Sequence, residues 1–184
     1  MRKVKHIGIF ILMLVCMEAA GQKFSLSTNA VGYIDFCTFN IEGSYAVSRH
    51  WSVTAGARYN PFSFRKAGNM ITNRQQAYAV GARFWPWHIY SGWWVAAKIQ
   101  YQEYNTGGII SSRAEEGDRY GAGVAAGYTY MLHPRLNLEL GLGVWAGMKK
   151  YTVYTCPSCG LTVSSGKKAF LMPNDIIIGI SYVF

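Results

Sequence analysis

The chain has no apolar run long enough to cross a membrane as a helix. The longest, Ile7–Met17, has eleven residues, whereas a membrane-spanning helix needs about 20. Backbone groups cannot be left unbonded in lipid, so a chain without such a helix can span a membrane only as a closed β-barrel. The lack of a long run therefore excludes helical membrane proteins and leaves soluble folds and barrels.

The same run predicts a secretory signal peptide. Basic residues precede it and the small residues Ala19, Ala20 and Gly21 follow it, which is the usual order in such a peptide. We expect a signal peptide over residues 1–21 and a single barrel domain over residues 22–184, a length that suits one domain.

Acidic residues are scarce. The chain has 18 Lys and Arg against 9 Asp and Glu, and the balance without the signal peptide is +7. Such a balance usually indicates nucleic acid, but an exported protein does not meet nucleic acid, and none is expected as a partner. Outer-membrane lipid and the phosphates of lipopolysaccharide match the basic residues better.

Histidine is missing where an enzyme would need it. The three histidines after the signal peptide, His50, His88 and His133, all fall in short connections on one side of the predicted barrel. A lipase or deacylase of the outer surface would need a His–Ser or His–Asp pair at the opposite rim. We therefore expect no enzymatic activity, no catalytic residue, no cofactor and no metal.

Cysteine is also sparse, with three residues after the signal peptide. Cys156 and Cys159 are three positions apart and predict a local disulfide in an oxidising compartment. Two alternatives remain open, because Cys37 is expected at the same rim. It could form a disulfide with either of them, or add one ligand to a zinc site, for which a single Cys-x-x-Cys supplies only half of the ligands.

The chain does contain segments in which apolar residues strictly alternate with mostly polar or small ones, and Leu136–Met148 is the clearest of them. Every even position in this stretch is apolar, and the odd positions are Asn137, Glu139, Trp145 and three glycines. A period of two predicts an extended strand with one apolar face. Thirteen residues at about 3.3 Å each, tilted by about 45°, span about 30 Å, the hydrocarbon thickness of a bilayer. Glycine suits a crowded lumen better than a solvated face, so we expect the leucines to face lipid. The alternative is a soluble barrel with the leucines inside.

Eight segments alternate in this way. Short connections and the long polar stretches 62–76, 105–118 and 155–174 also alternate along the chain, as do the periplasmic turns and outer loops of outer-membrane barrels. The exception is the first connection, near Asp35–Cys37, which is short although it falls on the side of the long loops. The predicted fold is all-β, an eight-stranded antiparallel outer-membrane β-barrel with both chain ends in the periplasm. The predicted strands are Phe24–Ile34, Thr38–Val47, Trp51–Pro61, Ala77–Pro86, Gly92–Tyr104, Arg119–Met131, Leu136–Met148 (or on to Tyr154) and Asp175–Phe184.

Aromatic residues gather near both ends of the predicted strands. Trp51, Trp85 and Trp93 belong to the periplasmic group, and Tyr59 and Tyr101 to the outer one. Two aromatic girdles are expected at the two membrane interfaces.

Charged residues at inward positions predict a filled lumen. An eight-stranded barrel is filled by its own side chains, and buried charges must pair. We expect a charge network that plugs the barrel, with a proton or ion path as the alternative, and its members are Glu42, Arg58, Arg83, Lys98 and Glu139. Further lysines are expected at the outer rim, among anionic headgroups and sugars: Lys149, Lys150, Lys167 and Lys168.

Several stretches of the chain resemble a known family. They are Arg49–Val53, Tyr59–Phe62, Ala82–Trp85, Arg119–Gly123 with Gly127-Tyr128, Arg135–Glu139, and Tyr154–Gly160 with Gly166–Lys168. Together they resemble an uncharacterised family of small outer-membrane β-barrel proteins of Bacteroidota, classed as a domain of unknown function. The resemblance covers nearly all of the chain after the signal peptide. It implies an outer-membrane barrel, some of whose relatives are encoded near fimbrial genes, and it brings no catalytic residues.

These expectations describe an outer-membrane barrel with a plugged polar lumen that acts through its long outer loops. We expect a non-enzymatic surface or assembly protein whose partner is a surface or fimbrial protein. The alternative is a barrel that binds or modifies small molecules or lipids.

Overall fold

The computed structural model describes residues 23–66, 69–108, 113–156 and 160–184. The predicted signal peptide lies outside the described residues. The elements in chain order are β1 (Phe24–Asn29), α1 (Ala30–Ile34), β2 (Phe39–Ala46), β3 (Trp51–Asn60), β4 (Ser63–Lys66), β5 (Asn69–Phe84), β6 (Gly92–Gly107), β7 (Ala114–His133), β8 (Leu136–Tyr154) and β9 (Thr162–Val183). No helix in the described ranges is long and apolar enough to cross a membrane.

Eight of the strands close into an antiparallel barrel. Neighbours in the ring follow the order β1, β2, β3, β5, β6, β7, β8 and β9, and β9 pairs with β1 to complete it. β4 lies outside the ring and forms a short hairpin with the first residues of β5, from Ser63 opposite Thr72 to Lys66 opposite Asn69. The prediction of an eight-stranded antiparallel β-barrel is confirmed.

β8 shows which face of the strands turns outwards. Leu140 and Leu142 are 44% and 67% exposed, whereas Glu139 and Trp145 are 3% and 1% exposed. Residues opposite each other in paired strands share a face, so the same division continues around the ring. The leucines lie on the outer surface and the odd positions of β8 lie in the lumen. The alternative of a barrel with the leucines inside is wrong.

β1 is shorter than predicted, because Asn29 caps a helix. The prediction extends this strand to Ile34, whereas it ends at Asn29, whose Oδ1 accepts a hydrogen bond from Val31 N at 3.1 Å. Asparagine is among the best N-cap residues, since its side chain bonds a backbone N–H that the first helical turn leaves without a partner. Phe36 and Cys37, with φ of 51° and 57°, then turn the chain back into β2.

β5 to β9 extend further than predicted at one end. Most of the polar stretches predicted as long loops are strand, because β5 begins at Asn69, β7 begins at Ala114 and β9 begins at Thr162. β8 runs to Tyr154, as the longer of its two predicted versions does. Above the apolar part of the barrel the side chains no longer alternate between apolar and polar. The hydrophobic pattern therefore could not show that the backbones still pair.

The barrel consequently has a low wall and a tall wall. The low wall is β1, β2 and β3, with 6, 8 and 10 residues, and the tall wall is β5 to β9, with 16 to 22 residues. Lys23, the first described residue, the C-terminal Phe184 and the three short connections lie at one end, which we call the turn end. At the other, the loop end, the tall wall rises above the low wall.

Candidate functional site

Arg83 lies in the lumen and joins three strands. Its Nη1 donates to Glu139 Oε2 at 2.9 Å and its Nη2 donates to Glu42 Oε1, so β5 is bonded to both β8 and β2. The guanidinium also lies over the ring of Trp94, 4.5 Å from its centroid, a favourable cation–π contact. Arg83 and Glu139 are buried. Burial of a charge is costly by itself, and two carboxylates around one guanidinium offset that cost.

All five predicted members of the charge network lie around one space. Arg58 comes from β3 and Lys98 from β6, and both reach the cavity that the Arg83 cluster borders. The cavity has a volume of about 60 Å³, which leaves room for a few water molecules. Sites for drug-sized ligands are about 300–1,000 Å³. The lumen therefore holds a dense group of three cations and two carboxylates with little free space.

Three aromatic rings, which we call the aromatic plug, fill the lumen at the turn end. The Trp85 ring centroid lies 5.8 Å from that of Tyr90 and 6.4 Å from that of Trp94, and all three residues are buried. Trp85 Nε1 donates to Ser52 Oγ at 3.1 Å, and the Tyr90 hydroxyl donates to the Lys23 carbonyl at 3.0 Å. The placement of Trp85 in the periplasmic girdle is thus wrong. It lies two residues after Arg83 and shares its inward face.

Two glycines make room for the aromatic plug. A Cβ at Gly127 would lie 2.5 Å from Cζ2 of Trp94, and a Cβ at Gly141 would lie 2.9 Å from the same atom. Both distances are shorter than carbon atoms approach without a bond, so only glycine fits beside this indole. The inward glycines of β7 and β8 thus have the role expected from the sequence, which is to leave space for large neighbours.

The connection between β1 and β2 folds over the lumen at the loop end. Asp35 accepts hydrogen bonds from Asn73 Nδ2 at 3.2 Å and from Gln75 Nε2 at 3.1 Å. The Phe36 carbonyl accepts another from Asn60 Nδ2 at 3.1 Å. The three amides lie on the inward faces of β3 and β5. Local sequence does not predict this cover, because Asp35 contacts residues 38 and 40 positions further along the chain.

A second ion pair lies in the lumen towards the loop end. Lys149 Nζ donates to Glu115 Oε1 at 2.7 Å, and the Tyr104 hydroxyl donates to the same oxygen at 2.6 Å. Burial alone raises the pKa of Glu115, but these two hydrogen bonds outweigh it and hold the pKa below its ordinary value. Burial and the bond to Glu115 raise the pKa of Tyr104. Lys149 therefore points inward, unlike the exposed rim lysine predicted from the sequence, because odd positions of β8 face the lumen. Glu115 lies in a stretch predicted as a loop and so was not recognised.

The other three rim lysines are exposed at the loop end. Lys150 on β8 lies directly opposite Lys167 on β9, and Lys168 lies opposite Lys149. On its other side Lys150 faces Asp118 of β7. Three lysines thus stand on the tall wall, where they are accessible to an anionic partner.

Cys37 and Cys156 lie at the loop end, and the three histidines of the described ranges lie in or beside the short connections at the turn end. Cys37 is an exposed free thiol near the loop end. Cys159 lies outside the described residues, so the Cys156–Cys159 disulfide remains a prediction. His50 Nδ1 lies 2.8 Å from the Trp85 carbonyl oxygen, a structural contact. Within the described ranges no group of three His, Cys, Asp or Glu residues lies close enough to hold a metal ion.

Fold and lumen together define a class, the closed eight-stranded antiparallel β-barrel with an apolar outer surface and a charged interior. Within it, the chain belongs to the family described as "Protein of unknown function (DUF3575)", whose model matches residues 7–184. The match confirms the resemblance to an uncharacterised family over nearly the whole chain. A search of curated proteins found no match.

Proposed function

We propose that the protein is an outer-membrane β-barrel, exported by its signal peptide, that acts at the cell surface without catalysing a reaction. The observation that carries this proposal is a belt of exposed apolar side chains around the barrel. Soluble monomers rarely expose contiguous apolar patches larger than a few hundred Å², whereas a barrel in lipid needs such a surface. Residues of the belt include Ile41, Val53, Val80, Val95, Ile99, Val124, Leu142 and Ile178.

Aromatic residues border this belt at both ends. Trp51 and Tyr59 on β3 are exposed, as are Trp93 and Tyr101 on β6, and each pair is eight residues apart. Eight residues at about 3.3 Å make about 26 Å along a strand, or about 20 Å across the membrane at a tilt of about 40°. Outer-membrane barrels have an apolar band about 25 Å tall between two aromatic girdles. The two tryptophans then mark the turn-end interface and the two tyrosines the loop-end interface.

Charged side chains begin directly beyond the loop-end girdle. The first outward-facing charged residues there on β6, β7, β8 and β9 are Glu103, Asp118, Lys150 and Lys167. The short connections of outer-membrane barrels face the periplasm. We therefore orient the turn end towards the periplasm and the loop end towards the cell surface. Lys150 and Lys167 then stand at the level of lipopolysaccharide phosphates, which attract basic residues.

The filled lumen favours a role for the outer surface over a role for the interior. The aromatic plug occupies one end, the charge network the middle, and the Asp35 segment covers part of the other end. A cavity of about 60 Å³ is small for the alternative function, binding or modification of a small molecule. We therefore assign binding to the tall wall at the loop end. The resemblance suggests a surface or fimbrial protein as its partner.

The location can be tested by fractionation. Expressed with its signal peptide in a Gram-negative host, the protein is expected in the outer membrane, with different gel mobility before and after boiling. Leu142→Arg in the middle of the belt should reduce the folded fraction, because a cation there costs about 2–4 kcal/mol. Ser165→Arg, on the same outer face but above the belt, is the matched control and should have no such effect. Recovery of the wild-type protein from the soluble periplasm would reject the proposal.

A further inference from the structure

β9 rises above β1 and leaves one of its edges open. β1 pairs with β9 only from Ser25 opposite Val183 to Asn29 opposite Gly179. The side chain of Asn29 reaches slightly further and donates to the Ile176 carbonyl at 2.8 Å. On the opposite edge, β8 accompanies β9 as far as Thr162. Among the residues that the structure describes, no strand therefore pairs with the outer part of β9 on the side away from β8.

The open edge is regular over nine residues. Partners on β8 run in step from Trp145 opposite Met172 to Val153 opposite Ser164, and the register shifts fall outside this stretch. Every second residue of a regular strand turns its N–H and C=O to the same edge. Ser164–Met172, which we call the β9 edge, thus presents about four or five of each group. Such a row is a template for one more strand.

Charged side chains on the β9 edge are one of the usual protections against strand pairing. Proteins block exposed edges with proline, bulges, covering segments or charged side chains. Between Ser164 and Met172 there is neither proline nor bulge, and the charged residues are Lys167 and Lys168. Both are exposed, and as consecutive residues they stand on opposite faces of the sheet. Lysines at these positions repel a basic strand and favour an acidic one.

Charge also disfavours pairing of the β9 edge with a second copy of the chain. Two copies inserted in one membrane would hold β9 in the same direction and bring the lysine pairs side by side, and like charges at such positions are destabilising. No acidic residue occurs from Thr162 to Met172 to relieve this repulsion. The neighbouring Lys149 is bonded to Glu115, so the charges that an added strand would meet are those of Lys167 and Lys168.

We propose that the β9 edge binds an extended acidic segment of another protein, which pairs with it as an additional strand of the tall wall. The proposal rests on the proposed function only for placing this edge outside the membrane. Backbone hydrogen bonds supply the affinity in this mode of recognition, and side chains beside the edge supply the selectivity.

The test uses the full chain folded in detergent and a synthetic eleven-residue peptide of alternating threonine and glutamate. We expect this peptide to bind and to slow amide hydrogen exchange within Ser164–Met172. Two control peptides should bind at least about tenfold more weakly. One has lysine in place of glutamate, and the other keeps its glutamates but is N-methylated at every second backbone nitrogen and so cannot pair as a strand.

Variants of the protein distinguish strand pairing at the β9 edge from general electrostatic attraction of the peptide to the protein. The double variant Lys167→Glu with Lys168→Glu should reverse the preference towards the lysine peptide, whereas Lys150→Glu, one strand away from the edge, should change the affinity by no more than about threefold. The proposal is overturned if no peptide binds, if the N-methylated peptide binds equally well, or if cross-linking shows the β9 edge paired with a second copy. Binding in detergent does not depend on cellular location, so this result and the fractionation result fail independently.

Discussion

Arg83 bonds two carboxylates that come from different strands, and it stacks on a ring of the aromatic plug. Because Arg83 is buried, removal of one partner leaves a buried charge with incomplete compensation. The loss of one member of a buried pair usually destabilises a protein more than replacement of the whole pair by apolar residues. Single substitutions in this cluster are therefore informative about its role in stability.

Replacement of Glu139 by leucine should destabilise the barrel. The variant removes one of the two carboxylates that the Arg83 guanidinium bonds, and we expect the free energy of unfolding in detergent or lipid to fall by about 3 kcal/mol. Leu140→Ile is the matched control on the next residue of β8, and it should cost less than about 1.5 kcal/mol because the outer face stays apolar. Denaturant unfolding measures both. A neutral Glu139→Leu variant would show that Arg83 does not depend on this carboxylate.

The Glu115–Lys149 pair should make stability depend on pH. The pKa of Glu115 is lowered in the folded state from an ordinary value of 4.5. The stabilisation is therefore complete above the unfolded-state pKa and is lost as the pH falls through the folded-state pKa. The difference in denaturation midpoint between the wild type and Glu115→Gln should be largest near pH 6–7 and shrink towards about pH 3. Lys150→Gln, at an exposed position, serves as the control. A difference that is constant over this range would mean that the charge of Glu115 is not what stabilises the fold.

At the scale of elements, the loop end is formed by segments of unequal height. The β1–β2 connection bends inward over the lumen, while the hairpin of β8 and β9 continues outward. The exposed Cys37 thiol belongs to the first of these segments and Cys156 to the second. A disulfide that includes Cys37 would join the two segments, whereas one between Cys156 and Cys159 would close a ring within the second. Which of these bonds forms determines how firmly the β8–β9 hairpin is held.

Mass spectrometry of the unreduced, thiol-blocked protein distinguishes these arrangements. We expect one label, on Cys37, and a disulfide between Cys156 and Cys159, because two cysteines three positions apart can close a small ring. The Cys37→Ser variant should then carry no label and keep the ring. A disulfide that includes Cys37 would instead join the first connection to the last, and bound zinc with all three thiols protected would identify a metal site.

At the scale of the whole molecule, the barrel is closed and filled but uneven in height. The belt surrounds all eight strands, whereas the tall wall forms most of the strand surface beyond it. Recognition is therefore directed to one side of the molecule, where the β9 edge and the exposed lysines lie. Side chains occupy the lumen from the aromatic plug to the Glu115–Lys149 pair. Their contacts hold the low wall and the tall wall together.

A filled lumen should not conduct ions. The purified protein inserted in a planar bilayer is expected to show no stepwise conductance at moderate voltage, because the aromatic plug fills the turn end of the lumen and the cavity among the charged residues is about 60 Å³. An eight-stranded barrel has an interior just wide enough for its own side chains. Discrete channel openings, absent from a detergent-only control, would contradict this expectation and favour the ion path considered from the sequence.

Local sequence contains most of what is needed for the barrel itself. Alternation over Leu136–Met148 indicates a strand and its two faces, because side-chain direction in an extended chain depends only on whether a position is odd or even. The same rule, followed beyond the apolar stretches, also places Trp85 and Lys149 in the lumen. The residue type of Trp85 suggests instead a membrane interface, and that of Lys149 suggests an exposed rim. Both of these expectations are wrong. Prediction of the five-residue charge network needed only this rule and the requirement that buried charges pair.

Tertiary structure alone decides how far the strands continue and what they meet. The pairing of polar strands at the loop end depends on backbone bonds, which leave no mark in side-chain alternation. The cover formed by Asp35 and the hydrogen bonds of the Asn29 side chain to β9 depend on residues far apart in the chain. The β9 edge is open because β1 ends at Asn29 while β8 and β9 continue, a difference in height that exists only once the ring has closed.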